Sequence, residues 1–208
     1  EVLRIAGLAS GSRVPEQWGE SAVDIDFFDI KAVVEALLEL SCENNELKFR
    51  ASAHPALQPG QTAEILRGTV VIGLLGKLHP SIAQQYDLKR ATYLFELDAQ
   101  QTLQTTVPAA TVISRYPAIR RDLAVVLDEA VTAGELIQCV AGVSRKLIRD
   151  IRLFDIYRGK GIEAGRKSIA IGLILQETSR TLTDDDADDV LSDVVQKLQD
   201  QFGAELRD

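Results

Sequence analysis

Leu153-Phe-Asp-Ile-Tyr-Arg-Gly-Lys-Gly161 decides how the second half of this chain folds. It is the end of an apolar strand, Ile148–Tyr157, breaking into a turn, Arg158–Arg166, that holds three glycines. A second strand, Lys167–Gln176, follows the turn. Upstream, Thr132–Ala141 reads as a helix, with Thr132 as its cap and Glu135 at the capping-box position. Asp122–Leu127 is a strand before it. Downstream, Thr183 caps a long amphipathic helix, Asp184–Phe202, whose first turn is loaded with aspartates. Those charges suit the positive end of the helix dipole. Gly203 stops the helix, and Ala204–Arg207 is a last short strand. The order is βαββαβ, the split-βαβ or ferredoxin-like arrangement.

The first half has a different rhythm. Leu3–Ser10 is apolar and small and reads as a strand leading into a turn. Arg13–Ser21 is a polar loop carrying the only tryptophan, Trp18. A strong helix then opens at Asp26 or Asp29, either of which can cap it. Phe28, Val33, Leu37 and Leu40 follow at helical spacing. Leu47–Ala53 alternates as a strand, and Pro55–Gly60 reads as a loop because Pro and Gly exclude regular pairing. Gln61–Arg67 and Thr69–Leu78 form a hairpin joined at Gly68. Pro80–Tyr86 is a short helix, Ala91–Leu97 a strand, and Asp98–Leu103 another short helix. Antiparallel strands with one main helix make the fold class α+β. The polar stretch Thr105–Ala110 places the boundary near Val107, giving domains over 1–107 and 112–208.

The 208 residues fit one large domain or two small ones, and 46% apolar composition is ample for packed cores. The net charge of −8 argues against nucleic-acid binding by the whole surface. That total hides a segregation. Arg115–Arg180 holds 12 Lys/Arg against 8 Asp/Glu, a balance of +4, whereas Thr181–Asp208 holds 2 against 9, a balance of −7. Cys42 and Cys139 lie in unlike contexts and read as buried free thiols; without a CxxC pair a zinc site has no support, and no metal site is expected. The longest apolar run, Ile169–Leu175, is far short of a membrane span, so the expectation is a soluble, cytoplasmic protein with no membrane partner. The chain begins at Glu1 and contains no Met, so it is expected to be a piece of a longer polypeptide.

A βαββαβ unit puts both helices on one face of its sheet and leaves the other face open. In Ile148–Tyr157, one parity carries Ile151, Leu153, Asp155 and Tyr157; the other carries Arg152, Phe154 and Ile156. Neither is purely polar. A sheet face mixing aromatic, aspartate and basic side chains suits single-stranded RNA, whose bases stack and are read on their edges. Arg120, Arg121, Arg158, Lys160, Arg166 and Arg180 can supply phosphate contacts from the rims. The plainer account stands beside this. Phe154 and Tyr157 are more often core or half-buried strand residues than stacking platforms, and Arg120-Arg121-Asp122 reads equally as a surface ion pair of little worth. The turn Arg158-Gly-Lys-Gly161 lacks the spacing of a phosphate-binding loop and joins two strands rather than a strand and a helix.

Three clusters, Arg115-Tyr-Pro-Ala-Ile-Arg-Arg-Asp122, Leu153–Gly161 and Ser179-Arg-Thr-Leu-Thr183, resemble in order and spacing the C-terminal anticodon-binding domain of the bacterial phenylalanyl-tRNA synthetase β subunit. Asp26-Phe-Phe-Asp-Ile-Lys31, His54–Ala63, Gly73–Pro80 and Tyr93-Leu-Phe-Glu-Leu97 resemble the catalytic-like module that precedes it. The resemblance covers nearly the whole chain. It implies a class II synthetase-like antiparallel sheet module followed by the ferredoxin-like domain. It also implies a place in phenylalanine–tRNA ligase, an (αβ)₂ heterotetramer that charges tRNA with phenylalanine using ATP and Mg²⁺. The α subunit carries the chemistry, so this chain is expected to hold no catalytic residue and no cofactor of its own. Its share is scaffold, α-subunit interface and binding of the tRNA anticodon end. Arg115, Arg120, Arg121, Arg158, Lys160 and Arg180 would position phosphates; Tyr116 and Tyr157 would stack on or hydrogen-bond bases.

The residues themselves agree on the missing chemistry. Arg4, Arg13, Arg50, Arg67 and Arg90 do not stand in the strand and glycine-rich helix settings that a class II active site needs. His54 and His79 both precede proline in turn-like segments and read as loop-rigidifying or surface groups. Two other classes stay open. One is a protein-interaction fragment whose ferredoxin-like half makes no RNA contact, with Asp184–Asp189 as a docking surface for a basic partner. The other is a small-molecule regulatory domain.

Overall fold

Two residues start the main helix of the first half. Asp26 is the N-cap of α1 (Phe27–Leu38): its carboxylate accepts from the N–H groups of Phe28 and Asp29, and Asp29 accepts in return from the Asp26 N–H at 2.8 Å. That backbone hydrogen bond, with Arg13 alongside, holds the Asp29 carboxyl below its usual range. The protein is described by a computed structural model over residues 2–41, 47–105, 113–144 and 146–207. The chain divides into two compact units, Glu1–Pro108 and Ala109–Asp208. The expected boundary near Val107, and Cys42, lie outside the described residues.

In the first unit, β1 (Arg4–Ser10), β2 (Leu47–Ala51), β3 (Leu57–Arg67), β4 (Val70–Leu78) and β5 (Thr92–Asp98) form one antiparallel sheet in the order β1-β5-β4-β3-β2. Two short helices, α2 (Pro80–Gln85) and α3 (Ala99–Thr102), lie in the connections. Helix α1 packs Ile30, Val34 and Leu38 onto Ile65, Ile72, Leu75, Tyr93, Phe95 and Leu97. This differs from the stripe drawn from sequence. Phe28, Val33 and Leu40 are exposed, because the segment is apolar nearly all round and the sheet, not the periodicity, selects the buried face. Strand β3 also begins earlier than expected. Its register jumps between Leu57 and Thr62, so Pro59 and Gly60 sit in an irregularity inside a strand, not in a free loop.

In the second unit, β6 (Ile119–Asp128), α4 (Ala133–Ala141), β7 (Ile148–Tyr157), β8 (Arg166–Leu175), α5 (Asp184–Phe202) and β9 (Glu205–Leu206) follow the βαββαβ order. The sheet runs β7-β8-β6-β9, all antiparallel. Thr132 and Thr183 each make a full capping box, with Glu135 and Asp186. Gly203 ends α5 in the left-handed conformation at φ 60°, where a side chain would be strained. Leu136, Cys139 and Val140 of α4 and Ala187, Val190, Val194 and Leu198 of α5 bury one face of the sheet, formed by Leu123, Val125, Leu127, Ile169, Ile171, Leu173 and Leu175. Cys139 is a buried free thiol whose burial raises its pKa. No helix among the described residues is long and apolar enough to cross a membrane.

Candidate nucleic-acid interface

The face of the second sheet away from α4 and α5 is set by register. Opposite in parity to the buried residues of β6 stand Arg120, Asp122, Ala124 and Val126. They pair with Ile174, Gly172, Ala170 and Ser168 of β8. Strand β7 completes the rows with Asp150, Arg152, Asp155 and Tyr157. The simple alternation expected for β7 does not hold. Leu153 pairs with Ile171 and Asp155 with Ala170, so Phe154 has no partner and the strand bulges there. A bulge exchanges the two faces. Ile151 and Leu153 therefore pack on the core, while Asp155 and Tyr157 stand on the open face with Arg152. Phe154, at the bulge, is 52% exposed, and the Arg120 guanidinium lies 5.6 Å from its ring centroid.

Tyr157 is held from several sides. Its hydroxyl donates to the Lys160 carbonyl at 3.2 Å. Gly159 has φ 154°, and a Cβ there would lie 2.9 Å from the tyrosine oxygen, so this turn needs glycine where the ring passes. The Arg207 guanidinium sits 4.8 Å over the ring centroid. The floor between the strands is shallow, made by Gly172, Ala170, Ala124 and Ser168.

The eight residues singled out from sequence do not form one cluster. Arg115, Tyr116, Arg121 and Arg180 gather where β6 begins and β8 ends. Ser114 Oγ donates to the Glu177 carbonyl at 2.6 Å, and Gln176 Nε2 to the Tyr116 carbonyl at 2.7 Å, pinning the entering segment to the end of β8. Tyr157, Arg158 and Lys160 lie at the other end of the sheet, about 25 Å away at strand rise. Arg120 is on the open face.

Several of these cations already have carboxylate partners. Arg121 projects to the helix side, donating to Asp184 Oδ1 at 2.6 Å and Asp188 Oδ1 at 3.1 Å. Arg158 binds Glu129 at 2.7 Å, and Arg180 binds Asp186 at 2.5 Å. Arg120 binds Asp122 at 2.7 Å. These hydrogen bonds raise the pKa values of Arg121, Arg158 and Arg180, and they lower those of Glu129 and Asp186. Arg115 and Lys160 make no ion pair with other described residues. Phe154 and Arg207 are site residues that sequence reasoning did not assign. The bulge is invisible in the alternation, and Arg207 is brought to Tyr157 only by the pairing of β9 with β6.

Among the described residues of the first unit, four of the five arginines singled out from sequence are already engaged. Arg4 pairs with Glu96 and Asp98, Arg13 with Asp29, and Arg50 with Glu64; Arg67 donates to the carbonyls of Gln101 and Gln104. So engaged, these four do not present a converging donor set for ATP phosphates. His54 and His79 brace their own turns through Nδ1, accepting from the Ala56 and Ser81 N–H groups. Among the described residues no group of three or more His, Cys, Asp or Glu could hold a metal ion.

Residues 114–207 match the family described as the ferredoxin-fold anticodon binding domain. Residues 1–99 match the CLM domain of the phenylalanyl tRNA synthetase beta chain. The phenylalanine–tRNA ligase beta subunit of Methylococcus capsulatus is 46% identical over 98% of this chain. The chain belongs to the phenylalanine–tRNA ligase β-subunit family. Relatives of the same name in Shewanella oneidensis and Colwellia psychrerythraea are 43% and 45% identical over 96% and 98% of the chain. The chain spans about a quarter of the length of these curated relatives, 26% of the first and 25% of the other two. Membership in this β-subunit family accounts for both units at once, since the two matched domains follow each other in the order of the two sheets.

Proposed function

We propose that this chain works as part of phenylalanine–tRNA ligase, in which its second unit binds the anticodon end of the tRNA and its first unit is scaffold and interface for the α subunit of a cytoplasmic (αβ)₂ heterotetramer. In this reading ATP and Mg²⁺ serve the chemistry of the whole enzyme, carried by the α subunit. The observation that carries the reading is the open face of the second sheet: no described element of its own unit covers it, and it presents Phe154 and Tyr157 beside arginines over a floor of small residues. Bases stack on such rings without a sequence requirement, and the surrounding cations draw the phosphates. On the first unit, Phe28 and Val33 on α1 and Leu40 just beyond it are exposed apolar side chains available to a protein partner.

The proposed RNA contacts are Arg115, Tyr116, Arg120, Arg121, Tyr157, Arg158, Lys160 and Arg180. Arg120, Tyr157 and Lys160 border the open face or its turn. Arg121, Arg158 and Arg180 must share or give up a carboxylate to reach a phosphate. Those internal pairs are what favour the second reading, a ferredoxin-like unit that makes protein contacts alone.

Fluorescence anisotropy separates the two. The chain is titrated against the anticodon stem-loop of a phenylalanine tRNA, at low and moderate salt, with a scrambled anticodon loop as control. Salt-sensitive binding that prefers the correct anticodon is expected. A folded chain that binds neither loop at low salt would overturn the RNA reading and leave the protein-contact reading in its place.

A further inference from the structure

Arg207 lies outside every motif that the sequence singled out, yet it reaches the centre of the open face. Its N–H donates to the Ala124 carbonyl at 2.9 Å, extending the pairing of β9 one residue past its end. This registers Arg207 beside Ala124, in the row Arg207–Ala124–Ala170–Asp155 across the sheet. Tyr157 stands one row away at the far edge, three strand spacings or about 14 Å from β9. The two side chains meet over Ala124, Ala170 and Ser168, with Val126, in the row of Tyr157, the largest residue beside their path. The guanidinium comes to rest 4.8 Å over the tyrosine ring. Arg207 has no carboxylate partner among the described residues. Its neighbours Arg120, Arg158 and Arg166 each have one.

We propose that Arg207 is a displaceable placeholder: in the RNA-free chain its planar cation occupies the Tyr157 ring face on which a nucleobase stacks, and on binding it yields that face and turns to a phosphate of the same strand. This rests on the reading that RNA binds the open sheet face. The exchange is favourable by magnitude. A guanidinium over an exposed ring is worth about two- to fivefold in an equilibrium, whereas a stacked base is worth about five- to 150-fold. A freed arginine without a carboxylate partner then gains a phosphate at no cost in broken ion pairs. The floor of small residues gives the side chain room to swing while the backbone of β9 stays paired.

The test is the salt dependence of binding by the 208-residue chain and by Arg207→Ala, with the phenylalanine tRNA anticodon stem-loop as probe. At low salt the variant loses a phosphate contact and binds several-fold more weakly, and its slope of log K against log salt is shallower by about 0.7–0.9. At high salt that contact is screened, and the variant, relieved of the competing guanidinium, binds about two- to fivefold more tightly than the parent. The two lines therefore cross. Parallel lines, with the variant weaker throughout, would mean a merely structural Arg207 and overturn the proposal, as would lines that meet without crossing. Tyr157→Ala is the control for the underlying reading. If it binds as well as the parent, or if the parent does not bind, the RNA surface itself is wrong. If it loses binding while the Arg207→Ala lines stay parallel, only the placeholder fails.

Discussion

In the first unit, one helix turns Ile30, Val34 and Leu38 into the sheet and leaves Phe28 and Val33 in solvent. In the second, two helices bury the sheet from one side, and on the other side of the strands stand exposed Arg120, Arg152 and Phe154 and half-buried Tyr157. Both units solve the same problem, an antiparallel sheet with one apolar face to cover. They differ in where the surplus goes. An apolar surplus without charge on a helix complements another apolar surface. A surplus of rings and guanidinium groups on a pleated face complements flat bases and charged backbones. On the proposed function, one architecture is thereby fitted to two kinds of partner.

The largest expected effect tests whether the units fold separately. Val34→Asp places an unpaired charge at a position with no exposure, and it should cost the first unit several kcal/mol, enough to melt it. Amide spectra should then show collapse of the signals of residues 2–105 alone. Simultaneous loss of those from 113–207 would join the two units into one folding cooperative.

Next in size is the cap of α5. Thr183→Ala should destabilise the second unit by about 1 kcal/mol in urea unfolding, leaving the first unit's transition in place. The same box brings a pH dependence. Asp186 accepts from Arg180 and from the Thr183 N–H, which holds its pKa well below the ordinary 3.8. A carboxylate depressed on folding stabilises above its ordinary value and stops doing so as the pH falls through the folded one. Glu135, lowered chiefly by the Thr132 N–H, adds to this in α4. The second unit should therefore weaken progressively below about pH 4, and Asp186→Asn should flatten that limb. A limb unaltered by Asp186→Asn would assign the acid sensitivity elsewhere.

Smaller effects separate the arginines. Arg158→Ala should lower the salt slope of RNA binding by about one contact, while Arg121→Ala, whose guanidinium is shared by two aspartates, should lower it less. Unchanged slopes in both remove them as phosphate contacts. Smallest of all, Phe28→Asp should leave the stability of the first unit within about 0.5 kcal/mol, although it lies on the same helix as Val34. A large loss would mean that this ring is structural rather than spare.

Local chemistry was legible in the sequence and cross-chain geometry was not. The caps depend on residues close in sequence: the box of Thr132 with Glu135 and the cap at Thr183 could be read directly, and the start of α1 was narrowed to Asp26 or Asp29. The βαββαβ order followed from strand and helix periods alone. The buried stripe of α1 was missed because a helix apolar on several sides does not say which side its sheet will take. Carboxylate partners of Arg121, Arg158 and Arg180 were missed for a related reason, since Arg121 and Arg158 find theirs 29 to 67 residues away. Even for Arg180, only six residues from Asp186, the pair depends on how the chain turns into α5. Arg207 is the extreme case, a residue near the chain's end laid on a ring fifty positions earlier.

The unpaired Phe154 has a consequence for how this surface tolerates change in length. From Asp150 to Leu153 β7 keeps one phase with its neighbour, and from Asp155 it keeps the other; a second shift lies nearer its start, between Ile148 and Asp150. Removing that single residue would carry the phase of Asp150–Leu153 through to the end of the strand and rotate Asp155 and Tyr157 through half a turn, into the helical layer. Removing a residue from the Arg158–Gly165 turn would leave the phase of the strand intact. The chemistry of the open face is thus set by a count as much as by identity, and one codon's worth of chain inside β7 outweighs most substitutions on it.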